Sequence, residues 1–329
     1  MATRIFAAPS PHIHGGESTR SIMGDVVLAL LPALVVSTYT FGMSALFITA
    51  VAVVSCVVFE FIISRLLLKR RSTIGDLSAV VTGILLAFNL PIGIPWWIVV
   101  IGALVAIGIG KMTFGGLGCN PFNPALTGRI FLLIAYPQQM TDWSTNVPDA
   151  LSGSTMLAEV KGSTYDAAGN IALSNMNLGS VDFMGMFGGN MNGSMGEIGA
   201  LALILGGIYL LWRRVITWHI PVAVLGTMAL FSFCVACGIG GGAMCYELPL
   251  FQILAGGALL GAIYMATDYS TSPMTHKGMI IYGVGIGLIT MIIRLWGAYP
   301  EGMSFAIFIM NAATPLINKY CRPKRFGVK

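Results

Sequence analysis

The feature that most limits how this chain can fold is a succession of long apolar runs, among them MGDVVLALLPALVVSTYTF from Met23 and SALFITAVAVVSCVVFEFII from Ser44. Each is about 20 residues long, enough for a helix to cross the hydrocarbon core of a bilayer. None shows the strict two-residue alternation of a membrane-barrel strand. With 56% hydrophobic and 9% charged residues and a mean hydropathy of +0.83, the chain lies outside the composition of soluble domains. The expected fold class is an all-α polytopic membrane protein.

Ten crossings are expected, at about 22–41, 43–63, 76–90, 95–110, 121–137, 197–212, 218–237, 248–267, 279–294 and 303–318. They divide the chain into an N-terminal segment (1–21), a five-helix membrane repeat (22–137), a long loop (138–196), a second five-helix repeat (197–318) and a basic tail (319–329). Placing the N-terminus in the cytoplasm puts 15 of the 18 Lys and Arg residues on that side, the bias that orients membrane proteins. Lys161 and Arg294 fall outside or at the outer boundary, and Arg129 lies within a crossing. Both termini are therefore expected in the cytoplasm and the loop on the outer face. The net charge of +5 is accounted for by a basic face against anionic lipid, so nucleic-acid binding is not expected. The first apolar run is of spanning length and lacks a small-residue cleavage site, so it is expected to remain as the first helix.

Five helices on each side of the loop make the second half enter the membrane from the opposite side, an inverted repeat. The fifth and tenth segments, NPFNPALTGRIFLLIAYP from Asn120 and GMSFAIFIMNAATPLI from Gly302, are both short and interrupted. Such paired broken segments point to a midplane binding site. Asn120 and Asn123, each followed by proline, either serve a polar ligand or cap the helix that begins there. Arg129, a charge inside a crossing, calls for an anionic partner. Asp76 and Asp268, near cytoplasmic helix ends beside hydroxyl residues, are candidates for a cation pathway, with simple solvated helix ends as the alternative.

Other patterns carry less. Cys234 and Cys237 form a C-x-x-C with no second copy, so the cysteines are expected to be buried and inert rather than metal ligands. His12 and His14 lack a carboxylate or cysteine neighbour. Gly283, Gly285 and Gly287 lie in an apolar run, where small residues let helices approach closely. No phosphate-cradling loop, zinc-protease helix or serine elbow is present.

One stretch of the loop stands out: Asp149-Ala-Leu-Ser152-Gly153-Ser154-Thr155. It resembles the site at which FMN is joined to threonine through a phosphoester, a pattern of Asp, two variable residues, Ser or Thr, Gly, Ala and Thr; here Ser154 stands where Ala is usual. Thr155 offers the acceptor hydroxyl among small neighbours. The elements SPH, IMGDVVLALLPA, NPFNPALTGRIFLLIAYP, MATDYSTSP and PEGMSFAIFIMN extend the likeness nearly end to end. They are similar to the family of membrane flavoprotein subunits that contains the D-type component of Rnf electron-transport complexes and the B-type component of the sodium-translocating NADH:quinone oxidoreductase. Because the chain starts directly at SPH, without the longer extension of the quinone-reductase component, the Rnf branch is expected.

The resemblance implies a urea-transporter-like fold in the bacterial inner membrane and a place in a ferredoxin:NAD+ oxidoreductase that exports Na+ or H+. It further implies covalent FMN on Thr155, a noncovalent riboflavin in the helix bundle, a flavin transferase for maturation, and iron–sulfur and flavin subunits as partners. Flavins suit a chain of one-electron steps, the protein supplying position and electrostatics; no side chain is expected to act as a covalent catalyst. From the exposed amides, and not from the family, Asn120 and Asn123, with Arg129 nearby, are assigned to the second flavin or a midplane site. The alternatives are an inverted-repeat channel or secondary transporter without redox chemistry, and a structural scaffold.

Overall fold

The computed structural model describes residues 18–69, 73–143, 155–164, 176, 178, 181–189, 193–239, 242 and 244–322. Every regular element among them is helical. Ser18 starts α1 (Thr19–Phe41) by accepting the Ser21 N–H at 3.2 Å, one of the amides a helix start leaves unpaired. A single residue, Gly42, with φ 72°, reverses the chain into α2 (Met43–Ile62), a conformation open to glycine. A widened turn continues α2 to Leu67. Then come α3 (Ser78–Phe88), α4 (Trp96–Leu104, extended by a widened segment to Met112) and α5 (Pro124–Ala135).

Three short helices follow where an irregular loop was expected: α6 (Pro137–Thr141), α7 (Met156–Ser163) and α8 (Phe183–Gly188). Local capping explains two of them, since the side chains of Thr155 and Asp182 accept the Ala158 and Met184 amides. Hydrophobic periodicity is blind to that signal. The second half comprises α9 (Ala200–Trp212), α10 (His219–Ile239), α11 (Met244–Leu254), α12 (Ala258–Leu260, carried on to Met265), α13 (His276–Trp296) and α14 (Met303–Tyr320).

Among the described residues, four helices are long and apolar enough to cross a membrane: Thr19–Phe41, Met43–Leu67, His219–Gly238 and His276–Trp296. The α11/α12 pair, bent by 63° at its break, passes the same test when its two pieces are taken together, as a broken span or a re-entrant loop. By contrast α3, α5 and α9 have 11, 12 and 13 residues, short of the roughly 20 needed to span a bilayer alone. The outward faces carry exposed Val35, Phe47, Val54, Leu205, Val222, Leu230 and Ile292, an apolar surface suited to lipid rather than water. The chain is thus an all-helical, multi-pass membrane protein.

In the first half α2 packs on α3 and α4, and α5 packs on α4 and its extension; in the second, α10 packs on α11 and α13, and α14 packs on α13. The halves meet through α1 against α9 and α5 against α14. Small residues allow these approaches. A Cβ on Gly83 of α3 would lie 2.6 Å from the Val53 Cα, and one on Gly283 of α13 would lie 2.6 Å from the Ala223 Cβ, so the glycines of GVGIGL serve helix packing as expected.

Candidate functional site

The ends of α2, α4, α9, α12 and α14 and the starts of α1, α3, α5, α10 and α13 share one end of the bundle, and a polar cavity opens there. Its empty volume is about 740 Å³, between α1, α3, α5 and the segment after α12. Asn120, Asn123 and Asp268 all line it, with Ser78, Lys111 and Tyr264; apolar groups such as Val26, Leu85 and Ile216 form the rest of the wall. Asn123 both caps and bridges. Its Oδ1 accepts the Ala125 N–H at 3.0 Å, with Pro124 in the first helical position, while its Nδ2 donates to the Met265 carbonyl at 3.1 Å. The start of α5 is thereby tied to the end of the broken span in the other half.

Asp268 accepts hydrogen bonds at Oδ2 from Ser270 Oγ (2.9 Å) and Thr271 Oγ1 (3.3 Å), and Asn120 approaches the same carboxylate. Burial pushes its carboxyl pKa up, and these donors oppose the shift. Asp76 reaches the cavity only indirectly. It accepts the Ser78 backbone N–H at 2.9 Å and the Ser78 hydroxyl, and that hydroxyl in turn accepts from Lys111 Nζ at 2.6 Å. Lys111 also pairs with Glu60 at 2.7 Å, both side chains almost completely buried. This ion pair was missed because Lys111 reads as an ordinary base at a helix end. The available signal was Glu60, a carboxylate inside an apolar crossing.

Arg129 is not part of the cavity. Its Nη1 donates to Asn89 Oδ1 (2.7 Å) and Ser304 Oγ (2.6 Å), and its Nη2 pairs with Glu301. The anionic partner it called for is thus a carboxylate at the entrance to α14, so the pair joins the two halves. Arg294 donates from Nη1 to the Gln252 carbonyl (2.6 Å) and side chain (2.8 Å), and from Nη2 to the Ala255 (2.9 Å) and Gly256 (3.0 Å) carbonyls. It thereby satisfies the backbone freed at the α11/α12 break. The buried carboxylate of Glu197 interacts electrostatically with both arginines.

Of the attachment motif, Thr155 is described, whereas Asp149, Ser152, Gly153 and Ser154 lie outside the described residues, as do His12 and His14. Thr155 is extended, 2% exposed, and its Oγ1 accepts the Ala158 N–H at 3.2 Å as the cap of α7. Leu157 and Val160, one turn on, are buried against the bundle. The cysteines are not uniformly buried: Cys56 and Cys245 are, while Cys119, Cys234 and Cys237 are exposed. The Sγ atoms of Cys237 and Cys245 lie 3.1 Å apart. Among the described residues no group of three or more His, Cys, Asp or Glu could hold a metal.

The sequence profile of the NQR2, RnfD, RnfE family matches residues 6–327. The chain is 47% identical to the D subunit of the Na(+)-translocating ferredoxin:NAD(+) oxidoreductase complex of Acetobacterium woodii, over 98% of this chain and 96% of that protein. It is 41% identical to the D subunit of the proton-translocating ferredoxin:NAD(+) oxidoreductase complex of Clostridium ljungdahlii, over 97% and 95%. With the D subunit of the ion-translocating oxidoreductase complex of Mannheimia succiniciproducens it shares 36% identity over 97% of each chain. A match that runs through both halves and the segment between them establishes that this chain belongs to the NQR2, RnfD, RnfE family.

Proposed function

We propose that this chain is the D subunit of an ion-translocating ferredoxin:NAD+ oxidoreductase complex in the bacterial inner membrane, working with the other Rnf subunits and exporting Na+ or H+. The observation that carries the reading is similarity over almost the whole length to subunits so named, at up to 47% identity. We further propose covalent FMN on Thr155, attached by a flavin transferase, and noncovalent riboflavin in the polar cavity. A bound flavin supplies one-electron chemistry, and the chain holds and tunes it.

The residues fit these groups. Thr155 offers a hydroxyl at the start of α7, where helix amides favour a phosphate. The cavity wall is mostly apolar with a few convergent polar groups, the lining expected of a small-molecule site. Asn120 and Asn123 would orient the ring edge, Lys111 and Asp268 set the charge beside it, and the apolar wall keeps water out. Asp268, and Asp76 through Ser78, are the proposed ion-handling carboxylates. Two inverted five-helix halves, both termini in the cytoplasm and the Thr155 segment outside, complete the reading. Its support is the matching packing of α2 and α10 in their halves, together with the basic residues Arg65, Lys69, Arg213, Arg214, Lys277 and Lys319 gathered at the cavity end.

The test is to express the chain with a flavin transferase, denature it and examine the gel band for flavin fluorescence beside Thr155→Ala. A fluorescent wild-type band that is lost in the variant is expected. A dark wild-type band, with the transferase active on another substrate, would remove the covalent flavin and return the chain to the transporter reading.

A further inference from the structure

If Thr155 carries FMN, its surroundings pose a problem. The acceptor oxygen belongs to a residue only 2% exposed and is already engaged as the cap of α7, so a transferase has no open approach to it in this arrangement. The same helix is fastened by Lys161, the one basic residue between Arg129 and Arg213. Lys161 Nζ donates to the carbonyls of Ile293 (3.2 Å), Gly297 (2.5 Å) and Tyr299 (2.8 Å). These lie at and just past the C-terminal end of α13, where the helix dipole favours a cation; the Ile293 carbonyl also accepts the Gly297 N–H at 2.8 Å. Three converging carbonyls match the three N–H donors of a compact ammonium. Leu157 packs beside Gly256, where an added Cβ would come within 2.7 Å of its Cδ2, so α7 also rests on the α11/α12 break.

We propose that Lys161 is a docking latch: FMN is joined to Thr155 while α7 is undocked, and Lys161 then seats α7 so that the bundle fixes the position of the flavin. This rests on the FMN reading above. In the joining step Thr155 Oγ1 bonds to the phosphorus of the FMN half of a flavin pyrophosphate such as FAD. The bond from that phosphorus to the bridging oxygen breaks, AMP leaves with the electron pair, and the hydroxyl proton passes to solvent. No electron is transferred to or from the ring. Undocking exposes the oxygen that this step needs, and Lys161 then reseats α7 with the phosphoester in place of the free hydroxyl.

The experiment uses the full chain in detergent on a background without its native cysteines, carrying Thr155→Cys, and measures how fast a bulky maleimide labels it. With Lys161 in place labelling is slow. Lys161→Met keeps the apolar stem and removes the donors, and labelling rises on the order of tenfold, the worth of about one charge-assisted hydrogen bond. Lys161→Arg, which keeps charge and donors, stays closer to the parent than to Lys161→Met, and so separates latch loss from misfolding. With Thr155 restored and no prior FMN, Lys161→Met also takes FMN from FAD and transferase faster than wild type. Equal labelling in parent and Lys161→Met overturns the latch, as does a parent that labels as fast as Met184→Cys, a site 82% exposed. A wild type that never accepts FMN defeats the FMN reading instead, while a labelling difference would still support Lys161 as the docking residue.

Discussion

Glu60 and Lys111 put a carboxylate and an ammonium 2.7 Å apart with side chains at 0% and 2% exposure. Thr73 donates to the second carboxylate oxygen of Glu60, and the Ser78 hydroxyl accepts another N–H of Lys111, so the pair is well satisfied. Removing one partner strands the other charge in a low-dielectric site, which costs about 3–5 kcal/mol. Glu60→Met and Lys111→Met are each expected to lower the apparent melting temperature of the detergent-solubilised chain sharply. Glu60→Met combined with Lys111→Met should lose less than the sum of the single changes, because no stranded charge remains. Strictly additive losses would mean that the two charges do not depend on each other. What sequence could show of such sites was the residue, not its partner. Arg129 in a crossing announced a need for an anion, yet that the anion is Glu301 depends on α5 of one half meeting the entrance to α14 of the other. Lys161 was visible as a lone base in an acidic stretch, while the three carbonyls it holds come from the last turn of α13 and the residues after it, more than 130 residues away in sequence.

At the scale of elements, the long helices were legible because length and apolarity suffice to mark them, and α1, α2, α10 and α13 lie where the runs placed them. The half-length helices were harder to read, since their ends are set by caps and breaks rather than by composition. α5 shows how such an end works. Pro124 pre-sets the first helical residue, Asn123 accepts two amides, and the same Asn123 reaches across to Met265. Asn123→Ala deletes both functions, with the cap alone worth about 1 kcal/mol. Asn123→Ser keeps a capping oxygen but is too short and has no amide nitrogen to reach Met265. Both variants are expected to lose noncovalent flavin, measured as flavin released by acid per chain, whereas the serine variant keeps more of the thermal stability. Full flavin retention in both would place the second flavin away from this end of α5.

For the whole molecule, the decisive question is whether α9 crosses the membrane, because it has only 13 residues and an inverted repeat requires it to connect the two faces. Its length is roughly 20 Å at 1.5 Å per residue, less than the ~30 Å core. It is not isolated, however: α1 packs along it, and Gly206 sits so close to α1 that an added Cβ would collide with the Ala29 carbonyl. The Glu197 segment before it is buried, so unpaired backbone at its start need not face lipid. A short helix embedded in protein can therefore complete a crossing that its length alone would forbid. Single cysteines on a cysteine-free background test this in intact cells with a membrane-impermeant maleimide, the exposed sites Met43, Leu67, Met184, Trp212, Tyr246 and Met274 serving as reporters. Inverted halves require Met43, Met184 and Tyr246 to label from outside and Leu67, Trp212 and Met274 only after the membrane is opened. The informative pair flanks α9. If Met184 and Trp212 label from the same side, α9 turns back within the membrane, and the second half is not inverted relative to the first.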